Sequence, residues 1–327
     1  MNALYRRETP RPAVGSATSI ATVDLMEQTG AWFPEAHLDP ETMASLAAAG
    51  HTELGLDNVM PLFGVLHESA ALGCEVDWGK PDQMPRCIHP PYASITDVVR
   101  IPEDLLTHDA CAVPLKAISL LKKQLGSEVA VVGKAFGPWT LGYHLFGVQN
   151  FLIATIDDPD AVKRVIDRLK EVSVRFALAQ IEAGADALCF ADHATRDLCS
   201  PDAYREFLLD MHREMVERIP CPLILHICGN TADRIPYIRQ AGFACFHFDS
   251  KVPARTAREL AGPDMALMGG TSNLDVIRLG TPETIQADVD EKLSAGIDIL
   301  GPECAVPLDA PFENMRLMVE MAKRGRR

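Results

Sequence analysis

Residues 223–230, Leu-Ile-Leu-His-Ile-Cys-Gly-Asn, bring together the side-chain types in this chain best suited to chemistry. A short apolar run delivers His226 and Cys228 and stops at Gly229. On a β-strand, side chains two apart point to the same face, so an imidazole and a thiol at i and i+2 near a strand end converge on one point. Imidazole nitrogen and thiolate sulfur suit Zn(II) best among the biological metals. The pair is half a metal site. Buried thiols are common without any metal, so a third ligand has to come from elsewhere in the chain.

That ligand depends on the elements that carry it. Short β-branched runs at 12–18, 57–63, 128–135, 186–191, 222–228, 244–248, 265–268 and 297–300 predict eight strands. Helical patterns lie between them near 40–50, 109–125, 159–183, 201–218, 231–241, 253–261 and 282–295, the first stopping at Gly50. The clearest is 159–183, where Val162, Val165, Ile166, Leu169, Val172 and Phe176 recur at helical spacing before Gly184. Ser200 and Pro201 form a cap and first-turn pair for the helix that follows. Strands separated by helices predict a parallel sheet, and eight of them a closed (β/α)8 TIM barrel, one domain over 1–327. Residues of about 64–104, rich in Gly, Pro and charge, read as an insertion after strand two. Its Cys74, Asp77, Cys87 and His89 match no zinc template and are expected to be loop residues. An open doubly wound sheet finds no support, because no Gly-x-Gly-x-x-Gly follows the first strand and no phosphate-binding loop is present.

A barrel places its active site at the carboxyl ends of its strands. Those ends carry Ser16, Ser19, Met60, Lys134, Asp192, His193, His226, Cys228, Asp249, Asn273, Glu303 and Cys304. Cys304, after strand eight, is then placed to face His226 and Cys228 across the mouth. Three protein ligands leave a position open, and structural zinc is normally closed by four, so the set predicts a catalytic metal. Asp249 is open to three roles: a fourth ligand displaced by substrate, an acceptor for His226, or an ordinary rim carboxylate. Asp192 and His193 either orient the site or close a loop. Met211, Met215, Met315 and Met318 sit at helical spacing and are core.

Composition excludes other classes. A net charge of −14 argues against a nucleic-acid surface, and the one basic cluster, Lys323-Arg324-Gly325-Arg326-Arg327, is expected to be a frayed end. No apolar run of membrane-spanning length and no signal-peptide pattern is present, which predicts a soluble cytoplasmic protein with no membrane partner. Nine scattered cysteines, an odd number, read as reduced thiols.

The chain resembles the uroporphyrinogen decarboxylase superfamily and, within it, the methylcobamide:coenzyme M methyltransferases of methylotrophic methanogens. The resemblance runs nearly end to end: Val-Gly-Ser-Ala-Thr-Ser at 14–19, Phe-Pro-Glu-Ala-His at 33–37, Ala-Leu-Gly-Cys-Glu-Val-Asp-Trp at 71–78, Gly-Pro-Trp-Thr-Leu at 137–141, Ala-Asp-His-Ala-Thr at 191–195, His-Ile-Cys-Gly-Asn-Thr at 226–231, His-Phe-Asp-Ser-Lys at 247–251 and Gly-Pro-Glu-Cys-Ala-Val-Pro at 301–307. His-x-Cys with a distant Cys is its specific part. It implies a zinc held by His226, Cys228 and Cys304, with the thiol of coenzyme M in the open position and a methyl-corrinoid as methyl donor. The corrinoid would ride on a separate carrier protein, since the barrel uses the whole chain. The decarboxylases carry an arginine-rich segment for their acidic tetrapyrrole; Ser16-Ala17-Thr18-Ser19-Ile20 has no arginine.

Zinc-bound thiol chemistry agrees with this reading. A free thiol is mostly protonated at neutral pH, and metal binding deprotonates it. Two thiolates and a neutral imidazole cancel the zinc charge, so an incoming thiolate leaves the site anionic and its sulfur electron-rich. The sulfonate of coenzyme M would need an anion site, for which the loop Gly269-Gly270-Thr271-Ser272-Asn273 offers close backbone approach and two hydroxyls; the alternative is a plain turn, with Lys134 or Lys251 supplying the charge. Tyr143 and His144 either contact the corrinoid or pack against the insertion. Other readings are a zinc-free decarboxylase, methyl transfer to another thiol or a folate, and, least favoured, a non-catalytic scaffold for a corrinoid protein.

Overall fold

In a computed structural model, which describes residues 1–325, the chain forms a nearly closed barrel of eight parallel strands flanked by helices. In chain order the strands are β1 (Ala13–Val14), β2 (Asn58–Val59), a hairpin of β3 (Glu75–Asp77) and β4 (Arg86–His89), then β5 (Ala130–Phe136), β6 (Ala187–Ala191), β7 (Leu223–His226), β8 (Cys245–Phe248), β9 (Ala266–Thr271) and β10 (Ile299–Pro302). The barrel order is β1-β10-β9-β8-β7-β6-β5-β2, each neighbour parallel. Because β5 to β10 are covered on both faces, they read as continuous apolar runs and not as alternating ones.

The predicted strands at 12–18 and 57–63 shorten to two residues each. Their place in the β1–β2 seam is taken by side chains. Asp57 N donates to Val14 O at 2.7 Å, and Val14 N donates to Asp57 Oδ2 at 2.9 Å. Asn58 Oδ1 accepts from Ser16 N at 3.0 Å while its Nδ2 donates to Ser16 O at 2.8 Å, so one carboxamide stands in for a peptide group.

Helix Pro159–Glu182 follows the sequence reading, with Asp158 capping Ala161 N and Val162, Leu169, Val172 and Phe176 fully buried. Helix Pro40–Thr52 runs past Gly50, where a missing Cβ leaves room for Ile20. The single helix predicted over 201–218 is interrupted by a π-helical turn, Tyr204–Leu208, between Pro201–Ala203 and Leu209–Arg218. That turn lets Tyr204 meet His212, with its hydroxyl 2.9 Å from His212 Nδ1. The segment after β2 holds a short helix, His67–Ala71, and the β3–β4 hairpin before helix Asp109–Leu125. Cys74 and Cys87 donate to His144 O at 3.5 and 3.9 Å, which ties the hairpin to the barrel. Of the basic tail, Lys323 and Arg324 end helix Phe312–Arg324, and Arg326 and Arg327 lie outside the described residues. No described helix is long and apolar enough to cross a membrane.

Candidate metal centre

His226 ends β7 and is buried. Cys228 lies beyond the strand end and not on it, a correction to the alternation argument: Gly229, with φ +81°, turns the chain, and this loop brings the thiol back toward the ring. Cys304 follows β10 by two residues. Cys228 Sγ stands 3.0 Å from His226 Nε2 and 3.0 Å from Cys304 Sγ, and Cys304 Sγ is 3.4 Å from His226 Nε2. All three ligand atoms lie within 4.8 Å of one another. Zinc–ligand lengths of about 2.0–2.3 Å place tetrahedral ligands roughly 3.5–3.8 Å apart, so the triangle fits zinc after opening by about half an ångström.

Two carboxylates fix the loops that carry these ligands. Asp249 Oδ2 accepts from Gly229 N at 2.7 Å and Oδ1 from Lys251 N at 2.9 Å, so Asp249 clamps the turn after Cys228. It makes neither of the direct contacts considered for it: the partner of His226 Nδ1 is His247, at 2.8 Å between Nδ1 atoms and 3.3 Å to the His247 carbonyl. Glu303, beside Cys304, accepts from Ser250 N at 2.9 Å and Asn273 N at 2.8 Å. Asn273 Nδ2 donates onward to Ala305 O at 2.8 Å, so Asn273 braces the Cys304 loop. Burial raises the Glu303 carboxyl above its usual range.

Hydrogen bonding from Cys228, with His226 alongside, holds Cys304 well below an ordinary thiol, while the Cys304 contact and burial push Cys228 up. Burial lowers His193, and its backbone N–H donates to Thr140 Oγ1 at 2.7 Å. Asp192 is fully buried and turned away from the mouth. Its Oδ1 accepts from Thr140 N at 2.8 Å and its Oδ2 faces His212 Nε2 at 3.2 Å, a structural network behind the loop.

Lys134, on β5, is buried, with its ammonium 5.6 Å from the Phe136 ring centroid and no salt-bridge partner among the described residues. Burial lowers it to about 8, opposed by the charges of Cys189, Glu68 and Cys304. Around it are groups the sequence reading missed: His37, His67 and Glu68, all fully buried. Both ring nitrogens of His37, His67 Nδ1 and Glu68 Oε2 lack a protein hydrogen-bond partner. Burial lowers His67 to about 4 and raises Glu68 to about 7.

The remaining candidates have other tasks. Tyr143 is core, its hydroxyl accepting from Trp139 Nε1 and its ring edge-on to Phe151. His144 pairs through Nδ1 with Ser69 Oγ at 2.7 Å and anchors the hairpin through its carbonyl. Lys251 is exposed. Gly269 and Gly270 belong to buried β9 and have φ values of +92° and +82°. A Cβ at Gly269 would come within 2.6 Å of the His247 ring, and one at Gly270 within 2.4 Å of Phe248. The two glycines therefore make room for rings on β8. That double glycine, opposite His-Phe-Asp at 247–249, is the sequence signal for His247.

The fold and the cluster define a TIM barrel with one histidine and two cysteines gathered at its carboxyl-terminal mouth. The sequence profile of uroporphyrinogen decarboxylase (URO-D) matches residues 1–325, and the chain belongs to that family. A methylated-thiol–coenzyme M methyltransferase of Methanosarcina mazei is 36% identical over 92% of this chain and 82% of its own length. The methylcobamide:CoM methyltransferase MtaA of Methanosarcina barkeri is 31% identical over 97% of this chain and 94% of its own. Among solved structures, a methyltransferase from Methanosarcina mazei superposes with a TM-score of 0.95 at 32% identity, covering 98% of this chain and 96% of that one.

Proposed function

We propose that this methyltransferase is zinc-dependent and moves a methyl group from a methyl-corrinoid, held by a separate carrier protein, to the thiol of coenzyme M. The observation that carries the reading is the convergence of His226 Nε2, Cys228 Sγ and Cys304 Sγ at the barrel mouth. His226, Cys228 and Cys304 would hold the zinc, which supplies an open position where a thiol is kept as thiolate at neutral pH. Both relatives are named for coenzyme M, which supports that acceptor, and the methylcobamide:CoM methyltransferase MtaA supports a corrinoid donor.

The chain's own groups prepare that step. Asp249 and Glu303 hold the Cys228 and Cys304 loops by backbone amides, so the two sulfurs are positioned before the substrate arrives. His226 is buried while Cys228 and Cys304 are part-exposed, so the two sulfurs stand on the side open to substrate. Lys134, cationic at neutral pH and without a salt-bridge partner among the described residues, receives the anionic end of the acceptor, and His37 and His67 offer neutral imidazoles beside it. The acceptor sulfur then attacks the methyl carbon in line. A carbon–sulfur bond forms as the carbon–cobalt bond breaks, and its electron pair stays on the corrinoid as Co(I).

A decarboxylase reading is disfavoured by the segment after β1, where Ser16, Thr18 and Ser19 are buried hydroxyls and no arginine stands ready for a polycarboxylate. The test is metal analysis of the purified chain together with methylcobalamin demethylation, followed by absorbance, over a panel of thiols. Stoichiometric zinc and turnover with coenzyme M support the proposal. A metal-free chain with full turnover would overturn it.

A further inference from the structure

We infer that His247 is a positioning residue that fixes the proton of His226 on Nδ1 and so leaves His226 Nε2 free to bind the metal. This rests on the zinc reading above, and hydrogen-bond donors and acceptors decide it. The Pro302 carbonyl can only accept, and His247 Nε2 lies 2.8 Å from it, so His247 carries its proton on Nε2. The His247 ring is fully buried, and with its proton on Nε2 it turns the Nδ1 lone pair to its neighbour, since two N–H groups cannot face each other at 2.8 Å beside an accepting carbonyl. That atom lies 2.8 Å from His226 Nδ1, and the His247 carbonyl oxygen lies 3.3 Å from the same nitrogen. Both neighbours are acceptors. His226 Nδ1 must be the donor, and the remaining nitrogen, Nε2, turns its lone pair toward Cys228 and Cys304.

The opposite tautomer is excluded on the same geometry. With its proton on Nε2, His226 would bring an Nδ1 lone pair against a second nitrogen lone pair and a carbonyl oxygen in a buried space, leaving all three acceptors without a hydrogen between them. The chain of contacts links three strands: a carbonyl of β10 orients a ring on β8, which orients the ligand on β7. Gly269 permits it, because a Cβ there would lie 2.7 Å from His247 Nε2 and 3.0 Å from Pro302 O, inside the hydrogen bond itself. Metal-bound histidines commonly donate their second nitrogen to a carboxylate or a carbonyl. Here a neutral imidazole takes that place. It adds no negative charge behind the ligand, and the zinc site keeps the neutral balance that favours an incoming thiolate.

The experiment combines nitrogen-15 spectra of histidine-labelled protein with zinc affinity by chelator competition, in wild type, His247→Phe and His247→Asn. The expected spectra, in zinc-free and zinc-loaded wild type alike, show a proton on His226 Nδ1 and the His247 proton on Nε2 alone. His247→Phe is expected to bind zinc about 10–100-fold more weakly. Its cobalt-substituted spectrum should keep the two-thiolate, one-imidazole signature, which separates a tautomer effect from a collapsed site. His247→Asn, whose carboxamide oxygen can accept from His226 Nδ1–H, should recover most of the affinity. A wild-type His226 with its Nδ1 unprotonated, or His247→Phe and wild type with equal zinc affinity, would overturn the inference. If the wild type binds no zinc, the functional reading fails, and the zinc-free spectra still decide the tautomer.

Discussion

Cys304 and Cys228 lie 3.0 Å apart, and that contact lowers the Cys304 thiol. A ligand set with one thiol already lowered releases fewer protons when it binds zinc near neutral pH. Cys304→Ala and His226→Ala are each expected to lose zinc under dialysis that leaves wild type loaded; full occupancy in both variants would remove the assignment. Activity with coenzyme M should also stay high well below the titration of free thiol, since the metal sets the ionisation of the bound sulfur. Lys134 gives a prediction of opposite sign. Its pKa lies at about 8, below that of an ordinary lysine, so its charge is lost as pH rises through that value. KM for coenzyme M should therefore climb above pH of about 8, while KM for an uncharged thiol such as mercaptoethanol stays flat. Lys134→Met should raise KM for the sulfonated thiol about tenfold or more at neutral pH, the loss of a charge-assisted hydrogen bond of about 1.5–3 kcal/mol, and abolish the alkaline climb. Equal effects on both thiols would place the anion elsewhere.

At the scale of elements, the sequence is legible where burial alone decides the outcome. The apolar runs of β5 to β10, the 159–182 helix and the rim positions of His226 and Cys304 follow from patterns within a few residues of each position. What the pattern cannot carry is contact across strands. Asp249, just after β8, reads in sequence as a ligand, an acceptor for His226 or a rim carboxylate alike, and only the structure shows that its two oxygens are taken by the backbone amides of Gly229 and Lys251. Gly269 and Gly270 look like an anion cradle because double glycines free the backbone, but the space they open holds His247 and Phe248. Cys228 meets His226 through the loop after β7 and not through strand alternation. The glycine reading is testable. Gly269→Ala combines a φ of +92° with a contact of 2.6 Å to the His247 ring, and should cost about 1–3 kcal/mol in urea unfolding and weaken zinc binding as the ring is displaced. Gly30→Ala is the control: its φ is +69° with nothing within 4 Å, so it should lose stability through backbone strain alone and bind zinc as wild type does.

At the scale of the molecule, the barrel closes through side chains. Seven of the eight junctions are strand ladders, and the eighth, between β1 and β2, rests on Asp57 and Asn58. Arg11 holds Asp57 in place, with contacts of 2.8 and 2.6 Å, and keeps that carboxylate below its usual range against the cost of burial. Asn58 bonds both the N–H and the C=O around Ser16, and Gly15 must lack a side chain because its Cβ would stand 2.2 Å from Asn58 Oδ1. A carboxamide is the one side chain with the donor and acceptor of a peptide unit, so neither Asp nor Leu can replace it without stranding a buried backbone group. Asn58→Leu, similar in size, strands both and should lower the unfolding free energy by about 2–5 kcal/mol, read from the urea midpoint at unchanged slope. The metal ligands lie on β7 and beyond β10, joined through the intact β8 and β9 ladders. Opening the seam therefore loosens the barrel without separating His226 from Cys304, and zinc stoichiometry in the folded fraction should match wild type. Loss of zinc at full stability would show instead that β1, paired to β10, positions Cys304 directly.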